Sequence, residues 1–285
     1  MGNGGRLLSH APLARATCRE IRHQHRIFWR NPTSVIFTVL LPVLTLPLLQ
    51  AINEGALVRT LEGARLVGLD PPFPVTPGQP LGFVRFAQYL FPVAAAYGVA
   101  VASFGHLASR VAIARDRGIL KRIAGTPLPA SVYLAGLVGA SVTISLLLVA
   151  GAVALGVIAY DVELVPRLLP AAVLTVAVGT SCFCALGLAV ASLIPNAAAA
   201  PAVSYAILVP LGFLSSVFFP PQIAPQWMRD LGSLLPLQPF ASALFASFSP
   251  GTPSPGIQMG DLAAVIAWGL AGAAVATRFG SAPED

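Results

Sequence analysis

Residues 131–159 read SVYLAGLVGASVTISLLLVAGAVALGVIA, a long run without a single charged side chain. A helix needs about 20 mostly apolar residues to cross a bilayer, so this run predicts a membrane-spanning helix. Five more runs of the same kind occupy 33–52, 86–106, 168–194, 197–219 and 260–279. The sequence therefore predicts an all-α integral membrane protein with six transmembrane helices in a single membrane domain, 1–285.

The composition of the whole chain agrees with this interpretation. Hydrophobic residues make up 56% of it and charged residues only 10%, against about 25% charged in an ordinary globular domain. The mean hydropathy is +0.78. These values exclude a disordered chain, a soluble enzyme of average composition and a nucleic-acid-binding protein. The three cysteines, Cys18, Cys182 and Cys184, form no disulfide framework and are expected to be small apolar filler.

Some features of the runs concern how the spans meet. Only Pro195-Asn196 separates the fourth run from the fifth, so one long re-entrant hairpin is an alternative to two spans. Small residues at helical spacing, as in Gly136-x-x-x-Ala140 and Gly272-x-x-x-Ala276, indicate that helix backbones approach closely there.

The basic residues predict which side of the membrane each loop faces. Residues 1–32, 107–130 and Arg278 lie on one side and hold 12 of the 17 Lys and Arg residues. Loops rich in Lys and Arg remain cytoplasmic. Both termini and the loop 107–130 are therefore expected in the cytoplasm, in a multi-pass protein of a bacterial cytoplasmic membrane.

The central part of each run lacks Asp, Glu, Lys and Arg. Carriers and channels driven by ions need buried ionisable groups, so this pattern argues against a proton antiporter or a charged filter. His106, at a span end, is interpreted as an interfacial residue. No G-K-[ST] sequence occurs, so no nucleotide-binding P-loop is expected in this chain, and no catalytic or metal-ligating cluster is found. The chain is therefore not expected to be an enzyme.

Residues 13–31, LARATCREIRHQHRIFWRN, predict an amphipathic N-terminal interface helix. Its arginines recur at intervals of three and four and so share one helical face. Lipid anchoring and docking of a cytosolic partner are both compatible with this face, which holds Arg19, Arg22, Arg26 and Arg30.

The loop 107–130, LASRVAIARDRGILKRIAGTPLPA, combines charge with apolar residues on adjacent helical turns. A short cytoplasmic helix presented to a cytosolic protein explains this pattern, and a simple positive-inside anchor is the alternative.

The stretch 220–258 holds eight prolines among apolar patches, which predicts short re-entrant helices before the last span. It is interpreted as an outer gate, with interfacial anchoring by Trp227 as the alternative. The candidate gate residues are Phe219, Pro220, Trp227, Pro236 and Pro239.

Four places in the chain carry a family resemblance, and two motifs among them are the more specific. Arg115-Asp116-Arg117-Gly118-Ile119-Leu120-Lys121-Arg122-Ile123 with Thr126-Pro127-Leu128 resembles the E-R-E-x-G-T-L-K-R-L…T-P-L loop of type-2 permeases of ATP-binding cassette transporters. Phe218-Phe219-Pro220 and Leu235-Pro236-Leu237-x-Pro239 resemble the outer segment of the same family. The branch that the chain resembles is that of the daunorubicin-resistance drug exporters.

The resemblance implies a permease subunit of an ATP-driven exporter that moves a hydrophobic or amphipathic drug or lipid out of the cytoplasm or inner leaflet. It implies two cytosolic ATPase subunits that bind ATP and Mg, and a second permease subunit, identical or related. No cofactor is expected on this chain itself. The resemblance assigns ATPase coupling to Arg115, Asp116, Arg117, Gly118, Leu120, Lys121, Arg122, Thr126 and Pro127.

One departure and several alternatives accompany this assignment. The family has an acidic residue where this chain has Ala114, which puts one ATPase contact in doubt. The family also includes exporters of polysaccharides and wall polymers, but the low aromatic content of 8% favours a lipophilic cargo. A secondary carrier and a non-transporting membrane anchor are the alternatives outside the family.

Overall fold

The computed structural model describes residues 10–30, 86–119, 130–194, 196–215 and 225–280, together with 36, 47–48, 122, 125 and 217. These residues form helices and connecting turns without any β-strand, which confirms the all-α fold class. The first predicted span, 33–52, lies almost wholly outside the described residues, as do Leu120, Lys121, Thr126, Pro127, Phe219 and Pro220.

The first two helices differ in character. Helix α1, His10–Trp29, is the amphipathic N-terminal helix. Helix α2 runs without a break through Phe86–Ala100, a π-helical turn at Val101–Gly105, and His106–Asp116. A π-turn inserts one residue into the helical hydrogen-bond ladder and is often found at functional positions.

The remaining long helices follow the apolar runs. Helix α3 is Ala130–Tyr160, α4 is Leu169–Leu193 after a 3₁₀ turn at Pro166–Leu168, and α5 is Ala200–Leu214 after a 3₁₀ turn at Ala197–Ala199. Two short helices, α6 at Gln226–Leu234 and α7 at Leu237–Ala246, precede α8 at Met259–Gly280. In the described part, five helices are long and apolar enough to cross a membrane, namely α2, α3, α4, α5 and α8.

The long helices alternate in direction, which gives the bundle two distinct ends. We call one of them the basic end. It holds the end of α2 at Asp116, the start of α3 and the α4–α5 connection. The opposite end holds the start of α2, the α3–α4 connection and the outer segment, which we define as Pro225–Gly256. Helix α2 lies at the centre and contacts α3, α4, α5 and α7.

Helix α2 differs from the sequence prediction in length. The second run was expected to end at 106 and the loop to begin at 107, but the helix continues to Asp116. Leu107, Ala108, Ala112 and Ala114 are all buried against neighbouring helices, so tertiary packing extends the helix beyond the most apolar stretch. Arg115 and Asp116 therefore belong to the end of a long helix and not to a separate short one.

Helices α4 and α5 are separate. Ile194 has an extended backbone with φ −77° and ψ 126°, which ends α4. Asn196 then caps the next turn, because its side-chain oxygen accepts a hydrogen bond from the N–H of Ala199 at 2.9 Å. Helix α5 leaves this turn to pack against α2, where Ala200 joins Ala108, Ala112 and Ile194 in a cluster of small buried residues.

Candidate functional site

The N-terminal helix packs in a groove between α2 and α3. Gly136 and Gly139 form the floor on the α3 side, where Glu20 and Ile21 lie so close that an added Cβ would overlap them. The His25 ring also makes a hydrogen bond with the Thr143 hydroxyl group. Small residues on α3 thus allow α1 to approach it closely.

A chain of polar side chains joins α1 to α2 on the other side of the groove. The amide of Gln24 donates to the Glu20 carboxylate at 2.6 Å, and its oxygen accepts a hydrogen bond from the Arg110 guanidinium. Below this pair, Phe28 packs edge-to-face on His106 with ring centroids 6.2 Å apart. Gln24 and Phe28 are buried at 5% and 4% exposure, so this face of α1 belongs to the interior of the bundle.

The arginines of α1 lie on its other face. The side chains of Arg19, Arg22, Arg26 and Arg30 are all exposed. Since Gln24 and Phe28 hold the helix by the buried side, the arginine stripe faces outward and is accessible to lipid headgroups or to another protein.

The end of α2 is tied to the end of α4 by Arg115. Its guanidinium donates to the carbonyl of Ala191 at 3.1 Å and also to the carbonyl of Ile194. The last carbonyls of a helix have no partner within the helix and carry partial negative charge. Arg115 supplies both hydrogen bonds and charge to this terminus, a task that suits the forked geometry of arginine.

The neighbouring acid makes the complementary contact with the start of α5. A carboxylate oxygen of Asp116 accepts a hydrogen bond from the N–H of Ala197 at 2.6 Å. The first N–H groups of a helix are likewise unpaired and carry partial positive charge. Arg115 and Asp116 therefore bind two consecutive helix termini of opposite polarity. We call this arrangement the Arg-Asp brace.

After the brace the chain turns sharply. Gly118 has a φ of +65°, a conformation that is strained for residues with a Cβ atom. The N–H of Arg122 donates to the carbonyl of Gly118 at 3.1 Å, which is the spacing of a helical turn. Arg117 and Arg122 are exposed. The described part of the loop thus begins with a glycine turn, continues into a helical turn and presents basic side chains outward.

The position where the related family carries an acid is not at the surface. Ala114 is 2% exposed and faces the interior of the bundle. A partner protein cannot reach this position in the described conformation, whereas it can reach Arg117 and Arg122.

The candidate gate residues at the opposite end are divided between two environments. Trp227 on α6 is 59% exposed, whereas Pro236, the N-cap of α7, and Pro239 in its first turn are buried. Helix α7 lies inside the bundle, with the Phe240 ring 5.9 Å from that of Phe183 on α4. The outer segment therefore combines an exposed amphipathic helix with a buried apolar one.

Two glutamines with hydrogen bonds to distant parts of the chain were missed in the sequence. Gln24 and Gln88 each bind groups from another helix or loop, but a single glutamine in a sequence carries no signal of its partners. Asn196 carried a signal, because an Asn directly before a helix is a common N-cap. In the described part, no group of three or more His, Cys, Asp or Glu side chains is placed to hold a metal ion.

Comparison with known proteins identifies the family. The sequence profile of the ABC-2 type transporter family matches residues 16–248. The chain belongs to this family. As an ABC-2 membrane protein it is the permease component of an ABC transporter, a multi-pass protein that works with a separate ATP-binding subunit. No curated protein matches the chain.

Proposed function

We propose that this ABC-2 permease is one half of an exporter for a hydrophobic or amphipathic compound, such as a drug or a lipid. Two cytosolic ATPase subunits bind Mg-ATP, and a second permease subunit, identical or related, completes the pathway. The protein lies in a bacterial cytoplasmic membrane with both termini and the basic end in the cytoplasm.

The observation that supports this cargo is the apolar interior of the described spans. Residues 86–109 of α2 carry no Asp, Glu, Lys or Arg, and neither do α3, α4, α5 and α8 between their ends. A charged or ion-coupled substrate needs ionisable partners within the membrane. A lipophilic cargo needs only an apolar path and an external source of energy.

The geometry of the basic end supports a route for that energy. The exposed turn that begins at Gly118 is the surface that an ATPase subunit can push or pull. The Arg-Asp brace joins the same helix end to α4 and α5, so a displacement of the turn moves three helices together. Closure of the ATPase subunits on ATP would thereby swing these helices as a unit.

The experiment that tests the proposal removes residues 118–127, from Gly118 to Pro127. Inverted membrane vesicles that hold the permease and its ATPase subunit receive an amphipathic fluorescent dye and ATP in the outer medium, which is the cytoplasmic side, so that export is measured as uptake of the dye. We expect the deletion to abolish ATP-dependent dye transport while the permease still inserts into the membrane. The matched control deletes 281–285, which follow α8, and is expected to transport normally. Normal transport by the 118–127 deletion would overturn the coupling role.

A purification from the native membrane tests the partners. The tagged permease, solubilised in mild detergent, is expected to carry with it a soluble protein that contains a P-loop in near-equal amount. Mass spectrometry of the permease bands would show one or two sequences and so separate a homodimer from a heterodimer. Absence of any ATPase, even after crosslinking at Lys121, would contradict the exporter assignment.

A further inference from the structure

Gln88 is a buried polar residue at the apolar opposite end of the bundle. It lies in the first turns of α2 and is 6% exposed. The nearby buried residues Leu90, Phe91 and Phe248 belong to the hydrophobic core. A buried polar side chain in such surroundings is costly unless all its hydrogen bonds are made.

The side-chain amide of Gln88 makes three hydrogen bonds to two backbone segments. Its nitrogen donates to the carbonyl of Phe248 at 2.7 Å and to the carbonyl of Glu163 at 3.0 Å. Its oxygen accepts a hydrogen bond from the N–H of Glu163 at 2.8 Å. Both donors and the acceptor are used, so the group is satisfied without a water molecule.

These bonds join segments that are far apart in the sequence. Glu163 belongs to the connection between α3 and α4, and Phe248 follows α7 in the outer segment. Arg167 adds weaker contacts from the same connection to the carbonyls of Pro250 and Thr252, both at 3.4 Å. Gln88 is therefore the point at which α2, the α3–α4 connection and the outer segment meet.

The junction at Gln88 adds directional hydrogen bonds to the apolar contacts around it. Tyr89 and Phe245 pack with ring centroids 5.6 Å apart, and such contacts between α2 and α7 tolerate sliding. Hydrogen bonds between an amide and backbone groups depend on distance and angle, so they fix the position of the outer segment along α2. An apolar side chain of the same size would fill the space but leave the Phe248 carbonyl and the Glu163 N–H unpaired.

The other end of the same helix carries the Arg-Asp brace. Helix α2 is thus bound by polar contacts at both ends, and it spans about 46 Å at 1.5 Å per residue. Between the two junctions lies the π-turn Val101–Gly105, where Phe104 touches Gly187 of α4 backbone to backbone. One helix therefore connects the exposed loop of the basic end to the outer segment.

We infer that Gln88 is a positioning residue for transport, which makes the outer segment follow α2 when the basic end is displaced. The three hydrogen bonds of its amide to Phe248 and Glu163 carry this inference. It rests on the proposed function, because it requires that ATP displaces the basic end. Without the amide, α2 would still move but the outer segment would slip along it.

The test measures movement at both ends of the assembled complex of permease and ATPase subunit. Spin labels at Ser109 and Ser131 report α2 against α3 towards the basic end. Labels at Gly251 and Val157 report the outer segment against α3 at the opposite end. Ser109 lies outside the coupling residues and is partly exposed, and the other three positions are exposed. Cys18, the exposed native thiol, is replaced by Ser, and the buried Cys182 and Cys184 remain.

The decisive variant is Gln88→Met, which keeps the length of the side chain and removes its hydrogen bonds. In the wild-type complex, ATP with vanadate is expected to shift both distances. In Gln88→Met we expect the shift at the basic end to persist and the shift at the opposite end to be lost, with ATP hydrolysis within about twofold of wild type. The matched control, Gln226→Met, changes an exposed glutamine of the same outer segment and is expected to shift at both ends.

The possible results separate the inference on Gln88 from a merely structural role of this residue and from the proposed function. A shift at both ends in Gln88→Met overturns the inference, as does a wild-type complex that shifts only at the basic end. A merely structural role would lower the assembled yield and reduce both shifts together. If Gln88→Met does not assemble, Gln88→Asn, which is one methylene too short to make all three bonds, takes its place with the same expectation. Absence of any shift in the wild-type complex overturns the proposed function and this inference with it.

Discussion

Helices α2 and α8 are almost equally apolar, yet they occupy opposite environments. Their mean hydropathy is 1.5 and 1.6 over the richest 18 residues, but 72% of that stretch is buried in α2 and only 17% in α8. Helix α2 is surrounded by α3, α4, α5 and α7, whereas α8 packs mainly on α4 and α7. Hydropathy therefore identifies a span but does not tell whether its neighbours are helices or lipid.

The two helices also differ in the residues that make their contacts. Helix α8 approaches α4 through glycines, with Gly269 against Cys182 and Gly272 against Ala185 and Leu186. Its large residues, such as Ile266 and Leu270, remain exposed. This surface is apolar and requires cover from lipid or from a second permease. In α2 the large residues themselves fill the core, so the same composition serves packing in one helix and lipid contact in the other.

A pair of matched leucine substitutions gives the largest effect expected from this comparison. Leu107 of α2 is 0% exposed and packs with Tyr133, Leu137 and Cys184, whereas Leu270 of α8 is 67% exposed. Truncation of a buried leucine leaves a cavity, which costs about 2–5 kcal/mol. We expect Leu107→Ala to lower the thermal unfolding temperature in detergent clearly, and Leu270→Ala to change it little.

Equal decreases in the unfolding temperature of the two leucine variants would contradict the comparison between α2 and α8. A large loss for Leu270→Ala alone would show that α8 is covered by a protein surface, most simply a second permease, and not by lipid. The oligomeric state of that variant, measured by size-exclusion chromatography with light scattering, would distinguish these explanations.

A pair of glycine substitutions tests a close contact between α2 and α4. An added Cβ on Gly187 of α4 would lie 2.6 Å from the carbonyl oxygen of Phe104, whereas Gly260 at the start of α8 has no atom within 4 Å of its own added Cβ. Overpacking of this kind costs about 1–3 kcal/mol. Gly187→Ala is therefore expected to destabilise the protein. Gly260→Ala is expected to be neutral or to stabilise by up to about 1 kcal/mol, since alanine favours helix.

The unfolding temperatures of these two variants must change in opposite directions or by clearly different amounts. If Gly187→Ala left stability unchanged, α4 and α2 would have room to separate at the π-turn. That result would place a flexible joint where the structure shows two backbones in contact.

The sequence predicts the helices better than their partners. The runs that form α3, α4 and α8 can be recognised in the sequence because a bilayer requires long apolar stretches. The predicted ends of these runs agree with the observed helix ends within a few residues. The extension of α2 to Asp116 was not readable, because burial of Ala112 and Ala114 depends on helices distant in the sequence. Amphipathicity showed that α1 has an arginine face, but not that Gly136 and Gly139 receive the other face.

In the candidate site, too, the residues could be predicted from the sequence but their contacts could not. Arg115 and Asp116 stood out in the sequence as charges within a motif, and their role towards an ATPase subunit stays a prediction. Their contacts in the structure are backbone groups of Ile194 and Ala197, some 80 residues away. Backbone groups have no sequence signature. The hydrogen bonds of Gln88 could not be predicted for the same reason, because its partners are the backbone groups of Glu163 and Phe248.

The smallest of the expected effects comes from Arg115, and it distinguishes the brace from a direct ATPase contact. Arg115 is partly exposed at 28%, so its hydrogen bonds to the end of α4 are worth about 1–2 kcal/mol together. Arg115→Ala is expected to lower stability by that amount and leave the ATPase subunit bound. Arg117→Ala, which removes the neighbouring exposed arginine, is expected to leave stability within about 0.5 kcal/mol.

Co-purification of the ATPase subunit with each variant separates the two roles. If Arg115 acts through the brace, Arg115→Ala loses stability and keeps its partner, and Arg115→Lys restores little because an ammonium group cannot reproduce the forked contact. If Arg115 instead touches the ATPase, Arg115→Ala loses the partner at unchanged stability. The first result would mean that α2 needs the polar contacts of the brace at its end as well as the apolar packing along its length. A helix that transmits force must stay bound to the elements that it moves.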